Sequence, residues 1–331
     1  MTYRIEIEGG PVFDISDDED TLMRGALRAG LGYPHDCGVG GCGSCRFDLV
    51  EGEMRNLWPE APGLSERERR RGRRLACQSK PLGNARIKVR LSEDQRPVVT
   101  PRRFSAQLEA RREVAPGMAE FTFRAPDPAT FRAGQYAIFH PLGVEGARAY
   151  SMSNLPNDAG EWRFVIRRTP AGRGSHAMFD ALKVGATMTL DGPYGHAWLR
   201  EGGNEVICIG GGSGVGPVVS IARAALASGR CVVAFEGART AGDLCLATVM
   251  GEDAGSPLLS HAPVLSAEPA ESAWRGARGF VHNEVENRLG GPAEHREYYF
   301  AGPPPMVEAL QDLLVMRWRE PLSRIHFDRF F

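Results

Sequence analysis

The pattern of hydrophobic and polar residues first indicates a small N-terminal domain. Residues 3–7 alternate between apolar and polar side chains, and a glycine turn leads to a second short strand. Residues 21–29 place apolar side chains on one face of a helix, with Asp20 as the expected N-cap. A returning strand over 87–91 completes the pattern. These elements predict a β-grasp domain over residues 1–95.

Two further domains are predicted after a linker at 96–101. Residues 102–200 contain many short apolar runs separated by turns, which is typical of an antiparallel β-barrel. Residues 201–331 instead alternate apolar strands with helix-like segments, which predicts a parallel sheet covered by helices. The expected fold is therefore multi-domain, with a β-grasp, a β-barrel and an α/β Rossmann-like domain.

Composition and charge restrict the functional classes. The 331 residues are 42% hydrophobic and 24% charged, with a formal net charge of −1, so nucleic-acid binding has no electrostatic basis. No apolar run is long enough to span a bilayer, and the N-terminus has neither signal-peptide nor transit-peptide features. We expect a cytoplasmic protein that binds no membrane.

Four of the seven cysteines form one spaced set. Four residues lie between the first and second of these cysteines, two between the second and third, and thirty-one between the third and fourth. This spacing matches plant-type [2Fe–2S] ligation. Interleaved glycines allow the backbone to wrap around metal atoms. A zinc site is the alternative, but zinc usually takes its ligands as two pairs of cysteines that are close together in the sequence, and Cys77 has no such neighbour. The expected ligands are Cys37, Cys42, Cys45 and Cys77. The other cysteines are expected to be buried packing residues: Cys208, Cys231 and Cys245.

Two segments extend this reading through resemblance. Residues 37–45, together with Leu75-Ala-Cys-Gln78, resemble the chloroplast-type ferredoxins. Residues 51–63 are similar to the reductase component of bacterial toluene monooxygenases, which are multicomponent diiron enzymes. The resemblance implies a reductase that passes electrons to a separate oxygenase.

A flavin site is implied by a second resemblance. Arg148-Ala-Tyr-Ser151 resembles the Arg-x-Tyr-Ser motif of the ferredoxin–NADP reductase family. By that likeness Arg148 pairs with an FAD phosphate, Tyr150 lies against the isoalloxazine, and Ser151 hydrogen-bonds flavin N5, which makes Tyr150 and Ser151 the catalytic candidates. In the same family a turn binds the flavin pyrophosphate through backbone N–H groups, and the corresponding residues here are Gly172, Gly174 and Ser175.

A nicotinamide site is predicted in the last domain. A glycine-rich loop follows a strand and opens a helix, which presents N–H groups to a dinucleotide phosphate. Its candidate residues are Gly210, Gly211, Gly212, Ser213, Gly214 and Gly216. Ala301-Gly302-Pro303 begins a segment similar to the family's Cys-Gly-Pro-Pro-x-Met, whose backbone lies near the nicotinamide. Ala301 replaces the cysteine, so no thiol assists the reaction from this position.

The coenzyme and the C-terminus complete the expected site. Glu236 favours NADH because a carboxylate suits the free ribose diol, whereas Arg239 weakly favours NADPH, and Asp243 is the reserve carboxylate. In the resembling reductases a C-terminal aromatic residue shields the flavin, which makes Phe330 and Phe331 candidates.

The combined prediction is an oxidoreductase that carries electrons from NADH to FAD, then to a [2Fe–2S] cluster and a separate oxygenase. The expected partner is a soluble diiron monooxygenase acting on aromatic or alkene hydrocarbons, and the reductase is expected to be a monomer. One alternative is a reductase for a Rieske dioxygenase, directly or through a Rieske-type ferredoxin. Another is a ferredoxin carrier whose flavoprotein half does not function. The arginine-rich segment 66–74 is either a solvated helix face or a docking surface for an acidic partner.

Overall fold

The chain folds into two units in a computed structural model that describes residues 1–141 and 143–330. The first unit contains Met1–Phe104, Ala137–Ala149 and Thr189–Gly195. The second contains Ser105–Tyr136, Tyr150–Met188 and the described residues from His196 onward. The domain boundaries at 95, 101 and 200 remain a prediction.

The N-terminal part has the expected β-grasp pattern. Its elements are β1 (Thr2–Ile7), β2 (Val12–Ser16), α1 (Leu22–Arg28), β3 (Arg46–Glu51), β4 (Met54–Asn56), α2 (Glu66–Arg70), β5 (Arg73–Leu75), β6 (Ser79–Pro81) and β7 (Ala85–Lys88). One sheet has the order β2-β1-β7-β3-β5, and β1 and β7 are parallel. The apolar face of α1 is buried, as predicted. The N-cap is Thr21 rather than Asp20, because the Thr21 side chain accepts a hydrogen bond from the Arg24 N–H.

The middle of the chain is built from antiparallel strands. Its elements are β8 (Arg102–Ala115), β9 (Met118–Arg124), β10 (Tyr136–Phe139), β11 (Arg148–Ser151), β12 (Glu161–Arg167), the single-turn helix α3 (Arg173–His176) and β13 (Thr187–Tyr194). Strand β9 pairs with both β8 and β12. Phe121, Phe123 and Phe164 are fully buried on these paired strands, as the apolar runs predicted.

The C-terminal part is a parallel α/β sheet. Its elements are β14 (Glu205–Gly211), α4 (Val215–Ala227), β15 (Val232–Ala238), α5 (Leu246–Met250), β16 (Leu259–Leu265), β17 (Ala277–Arg278), α6 (Val281–Leu289), β18 (Arg296–Gly302), α7 (Pro304–Gln311) and β19 (Ile325–Arg329). The strand order is β17-β16-β15-β14-β18-β19. One hydrophobic cluster includes residues of α4 and α5, and another includes residues of α6 and α7.

This strand order creates a switch point between β14 and β18. From β14 the chain moves outward through β15, β16 and β17, and it then returns to the opposite side of β14 as β18. In open α/β sheets, ligands bind outside the carboxyl ends of the strands at such a point. The glycine-rich loop follows β14, and Gly302 is the last residue of β18.

One local expectation needs correction. Cys231 is exposed, although Cys208 and Cys245 are buried as predicted. Helix α7 ends at Gln311, and the chain continues as the π-helical segment Asp312–Arg317. Across residues 1–141 and 143–330, no helix has the length and apolar character needed to cross a membrane.

Candidate functional site

The cysteine loop before β3 has the backbone that its glycines predicted. Gly38, Gly40 and Gly43 have φ values of 64°, 95° and 80°, which L side chains rarely adopt. A Cβ on Gly43 would also lie 2.3 Å from the Gly63 carbonyl oxygen. The loop can therefore curl tightly only because these positions lack side chains.

Backbone N–H groups in this loop point at cysteine sulfurs. The N–H groups of Gly41 and Cys42 each donate to Cys37 Sγ at 3.3 Å, and Ser44 N–H donates to Cys42 Sγ at 3.5 Å. A hydrogen bond from the Cys37 thiol, supported by Ser44, lowers the pKa of Cys42 to about 5. Such donors stabilise thiolate and, in a bound cluster, the negative charge on sulfur.

The sulfur arrangement fits two metal atoms better than one. The Cys37 and Cys42 thiols are within hydrogen-bonding reach, and so are those of Cys45 and Cys77. A tetrahedral zinc would hold all four sulfurs roughly 3.8 Å apart. Among the described residues, no three cysteine sulfurs lie within 4.8 Å of one another. Two cysteine pairs match a binuclear [2Fe–2S] cluster with two protein ligands on each iron.

The surroundings of the loop leave one edge open. Cys45 and Cys77 are buried, whereas Cys37 and Cys42 are partly exposed. The Trp58 ring packs beside Gly40, since a Cβ there would lie 3.1 Å from Trp58 Cε3, and Trp58 is 44% exposed. Trp58 was not predicted as part of the site, although it lies within the 51–63 segment that carries the resemblance.

The flavin motif forms strand β11. Arg148 and Tyr150 are partly exposed, whereas Ser151 is buried. Arg148 Nη1 donates to the Ala147 carbonyl at 2.9 Å, which leaves the other guanidinium N–H groups for an anion. A Cβ on Gly216 would lie 3.6 Å from the Ser151 carbonyl oxygen. The start of α4 therefore lies beside the flavin motif, as hydride transfer between the two cofactors requires.

The candidate pyrophosphate turn is held by its own serine. Ser175 Oγ accepts from Thr169 N–H at 3.1 Å and donates to the Gly172 carbonyl at 2.9 Å. A Cβ on Gly172 would collide with Thr169 Oγ1 at 1.9 Å. The Ser175 hydroxyl stabilises the turn, so contact with a phosphate would come from backbone N–H groups, including that of Gly174.

The glycine-rich loop lies against the end of β18 at the switch point. A Cβ on Gly214 would lie 2.0 Å from the Ala301 carbonyl oxygen, and one on Gly211 would lie 2.6 Å from Met306 Sδ. Gly210, Gly211, Gly214 and Gly216 are buried, whereas Gly212 and Ser213 are partly exposed. The structure thus brings the two predicted nicotinamide segments together.

Two further residues border this loop. A Cβ on Gly212 would lie 3.3 Å from Arg167 Nη1, so a guanidinium flanks the expected phosphate position. Arg167 was not predicted as part of the site, although it is the charged residue that ends the apolar run of β12. Phe330 N–H donates to the Gly302 carbonyl at 3.0 Å, which places Phe330 beside the Gly302-Pro303 segment. Phe331 lies outside the described residues.

Glu236 is not placed to bind a ribose. It is 1% exposed, and one carboxylate oxygen accepts from the N–H groups of Cys245 and Leu246 at 2.6 and 2.9 Å. The other oxygen lies 2.9 Å from His261 Nε2. The predicted ribose contact is therefore wrong, because this carboxylate is committed to the loop before α5. Arg239 is exposed at the end of β15, and Asp243 is partly exposed.

Comparisons with known proteins agree with this geometry. A 2Fe-2S iron-sulfur cluster binding domain matches residues 5–82, an oxidoreductase FAD-binding domain matches 105–198, and an oxidoreductase NAD-binding domain matches 208–312. The three predicted domain types and the [2Fe–2S], FAD and NAD cofactors are thereby confirmed.

Full-length relatives identify the combination. The ferredoxin–NAD(P)(+) reductase CarAd of Metapseudomonas resinovorans is 37% identical over 99% of this chain and 100% of its own length. The ferredoxin–NAD(+) reductase component of the alkene monooxygenase system of Xanthobacter autotrophicus is 33% identical over 98% and 100%. A solved structure of the ferredoxin reductase in carbazole 1,9a-dioxygenase has a TM-score of 0.92 at 36% identity, covering 100% of this chain and 99% of the other. The chain belongs to the family of [2Fe–2S] and FAD-containing ferredoxin–NAD(P) reductase components of multicomponent oxygenases.

Proposed function

We propose that this reductase takes electrons from NADH and supplies the oxygenase of a soluble diiron monooxygenase acting on aromatic or alkene hydrocarbons. Similarity to the alkene monooxygenase reductase over 98% of the chain carries this proposal. We also propose that it acts as a monomer in the cytoplasm. A Rieske dioxygenase partner, reached directly or through an intermediate ferredoxin, is the second candidate, and the likeness to the carbazole dioxygenase reductase favours it.

Separate groups of residues in this chain would bind the separate parts of the flavin. A bound FAD would supply the chemistry that converts the two-electron hydride of a nicotinamide into the single electrons that an iron–sulfur cluster can take. Arg148 would hold a flavin phosphate, Tyr150 would pack on the flavin ring, and Ser151 would donate a hydrogen bond near the reacting nitrogen. The turn at 172–175 would hold the pyrophosphate through its N–H groups, and Phe330 would cover the flavin until the nicotinamide enters.

The nicotinamide coenzyme would bind at the β14–β18 switch point. The 210–216 loop and the N-terminus of α4 offer N–H groups to its pyrophosphate, and Arg167 adds positive charge beside Gly212. Gly302 and Pro303 would orient the nicotinamide. NADH remains the proposed donor, with Asp243 as the candidate carboxylate near the adenosine ribose and Arg239 as the opposing cation.

Electrons would leave at the open edge of the cluster loop. Trp58 covers Gly40 at this edge, and residues 65–74, which contain six arginines and two glutamates, follow Gly63, which itself contacts the loop. Arg69, Arg70 and Arg73 have carboxylate partners within 4.0 Å. Among the described residues, no carboxylate lies within that distance of the exposed Arg67 and Arg71. We propose that this basic surface attracts an acidic face of the partner.

Reconstitution tests the proposed partner. The purified holoenzyme, NADH and either a purified diiron toluene monooxygenase or a purified Rieske dioxygenase with its ferredoxin would be assayed for substrate oxidation. We expect coupled oxidation with the diiron enzyme, whereas coupling only with the Rieske system would establish the second candidate. Arg67→Glu/Arg71→Glu should weaken productive coupling about ten-fold at low salt and less at high salt. Arg4→Glu, an exposed change on β1, is the matched control.

A further inference from the structure

The first unit contains a cluster of charged side chains that the electron route described so far does not use. We call it the acid–arginine cluster, and it consists of Glu19, Asp20, Arg24, Arg28, Arg103, His140, Asp191 and Tyr194. These residues come from separate parts of the chain. One group lies in or just before α1, and others lie in the segments 137–149 and 189–195, which belong to the same unit.

Asp191 is the centre of the acid–arginine cluster. It is fully buried, and both of its oxygens accept from Arg28 Nη2 at 2.6 Å. The Tyr194 hydroxyl donates to Asp191 at 2.8 Å. Arg24, which is 1% exposed, places its Nε 3.9 Å from the same carboxylate. The contact between α1 and the 189–195 segment is therefore ionic, and its Asp191 side is shielded from water.

The rim of the cluster adds two further carboxylates. Glu19 accepts from Arg28 and, at 3.2 Å, from Arg103. Asp20 accepts from Arg24 and from Arg103, the latter at 3.0 Å, and it lies 3.2 Å from His140 Nε2. Three carboxyl groups thus face three guanidinium groups. Loss of Arg28 would remove the guanidinium that contacts both oxygens of the fully buried Asp191, which is unfavourable because a buried carboxylate needs its charged partner.

The acid–arginine cluster is connected to elements of both the iron–sulfur site and the flavin site. Helix α1 packs against the short 3₁₀ turn Ala76–Gln78, which carries the cluster ligand Cys77. The 137–149 segment contributes His140, and it also contains Arg148 of the flavin motif. The acid–arginine cluster therefore joins the helix that packs against the Cys77 turn to the segment that carries Arg148 of the flavin motif.

We propose that Arg28 and Asp191 are positioning residues for electron transfer from flavin to the [2Fe–2S] cluster. Their buried ion pair fixes α1 on the 189–195 segment and so holds the iron–sulfur site in the arrangement from which it accepts an electron. The proposal rests on the flavin-to-cluster route. It predicts that weakening the pair slows this transfer and leaves flavin reduction by NADH unchanged, because the nicotinamide site lies in the second unit.

Anaerobic stopped-flow absorbance of the holoenzyme separates the two steps. In Arg28→Gln, NADH should bleach the flavin at the wild-type rate, and the following cluster bleaching should be about ten-fold slower, since the competent arrangement would be less populated. Arg28→Lys retains the charge and should recover most of the rate. Arg28→Gln/Asp191→Asn replaces the ion pair with a neutral amide pair and should be faster than either single variant.

A second readout does not depend on turnover. Hydrogen–deuterium exchange of the oxidised holoenzyme should show faster exchange in residues 22–28 and 189–195 for Arg28→Gln, with protection restored in Arg28→Lys. Arg86→Gln removes an exposed pair with Glu51 in the same unit and serves as the control, with no change in either readout.

The outcomes distinguish this proposal from the route on which it rests. If the wild-type flavin is reduced but its cluster never bleaches, the flavin-to-cluster route itself fails. If wild type shows both steps and Arg28→Gln, with increased exchange, transfers electrons at the wild-type rate, the positioning role is refuted. Equal slowing of flavin reduction and cluster reduction would also refute it, because that result indicates general destabilisation.

Discussion

At the scale of single residues, the Glu236 side chain is a buried carboxylate that holds neighbouring segments together through hydrogen bonds. It joins β15 to the N–H groups of Cys245 and Leu246 at the start of α5 and to His261 on β16. Glu236→Ala should lower the free energy of unfolding of the second unit by about 2–4 kcal/mol, because it leaves buried donors unpaired. Urea unfolding of the holoenzyme followed by flavin absorbance measures this loss.

The preference for NADH over NADPH should depend on Asp243 rather than on Glu236. Asp243→Ser should narrow the preference for NADH over NADPH by roughly ten-fold, because it removes repulsion of a 2′-phosphate. Steady-state kinetics with both coenzymes measure the ratio of kcat/KM values. Glu236→Gln is the control that should leave the ratio unchanged. A shift in Glu236→Gln, with none in Asp243→Ser, would contradict this assignment.

Gly214 tests how closely the nicotinamide loop must approach β18. Gly214→Ala would bring a Cβ within 2.0 Å of the Ala301 carbonyl, so the loop or the end of β18 must move. We expect at least a ten-fold rise in KM for NADH, equivalent to about 1.4 kcal/mol of lost binding, with FAD content unchanged. Gly255→Ala is the matched control, since open space surrounds Gly255. An unchanged KM in Gly214→Ala would show that the loop is not used.

Residue chemistry explains which site predictions could be made from the sequence. The four cysteines and their glycines were recognisable because metal ligation imposes spacing within one short loop. Glu236 was misassigned because it follows the apolar run 232–235 in the sequence and was expected beyond the strand, whereas it lies within β15 and its burial depends on β16 and the start of α5. Asp20 was misassigned as a cap for the same reason, since its partners Arg103 and His140 are distant in sequence.

At the scale of elements, the start of α1 should make the first unit sensitive to pH. Burial, together with a hydrogen bond that the protonated Glu19 donates to neighbouring Asp20, raises the pKa of Glu19 to about 7 despite Arg28. The groups that face Glu19 are Asp20, Arg28, Arg103 and Asp191. A raised carboxyl pKa means that the folded state retains a proton which the unfolded state loses near pH 4.5. Stability should therefore fall as the pH rises from about 4.5 to about 7.

Glu19→Gln should remove this pH dependence, because glutamine resembles the protonated carboxyl. At pH 8.5 we expect Glu19→Gln to exceed wild type in unfolding free energy by about 2–3 kcal/mol, and at pH 6 the difference should shrink. Loss of cluster absorbance in urea at both pH values measures the stability of the first unit. The exposed change Glu66→Gln on α2 is the control. A stability difference that is equal at the two pH values would contradict the assignment.

Helices and strands could be predicted where apolar residues recur on one face. Their ends could be predicted less well, because tertiary contacts determine where an element stops. The apolar face of α1 and the alternation in β1 specify their own burial. Strand β7 ends at Lys88, although an apolar alternation continues to residue 91, because its pairing with β3 stops at Lys88. The π-helical segment after α7 likewise has no local signal in the sequence.

At the scale of the whole molecule, the order of domains makes electron entry and electron exit separable. The nicotinamide loop lies in the second unit, and the four cysteines lie in the first. Strand β11 belongs to both units, because Arg148 lies in the first and Ser151 in the second. The flavin motif is thus one of the places where the chain passes between the units. A defect in electron entry and a defect in electron exit can therefore be compared in one protein.

Cys42→Ser tests this separation. The serine replaces one of the two partly exposed ligands, and a hydroxyl is a poor substitute for thiolate, so the cluster should be lost or altered. We expect reduction of cytochrome c by electrons from the cluster to fall by at least about a hundred-fold, because even the loss of an outer-shell partner of a metal ligand costs roughly 10–100-fold. Flavin bleaching by NADH should stay within about two-fold of wild type, since the flavin motif and the nicotinamide loop are unaltered.

Metal analysis should give two irons and two acid-labile sulfides per wild-type chain and fewer in the variant. Cys208→Ser, a buried change in the second unit, is the control that should retain its iron. Stoichiometric zinc in the wild type, or loss of flavin reduction in a folded and FAD-loaded Cys42→Ser protein, would show that electrons do not pass linearly from nicotinamide through flavin to iron.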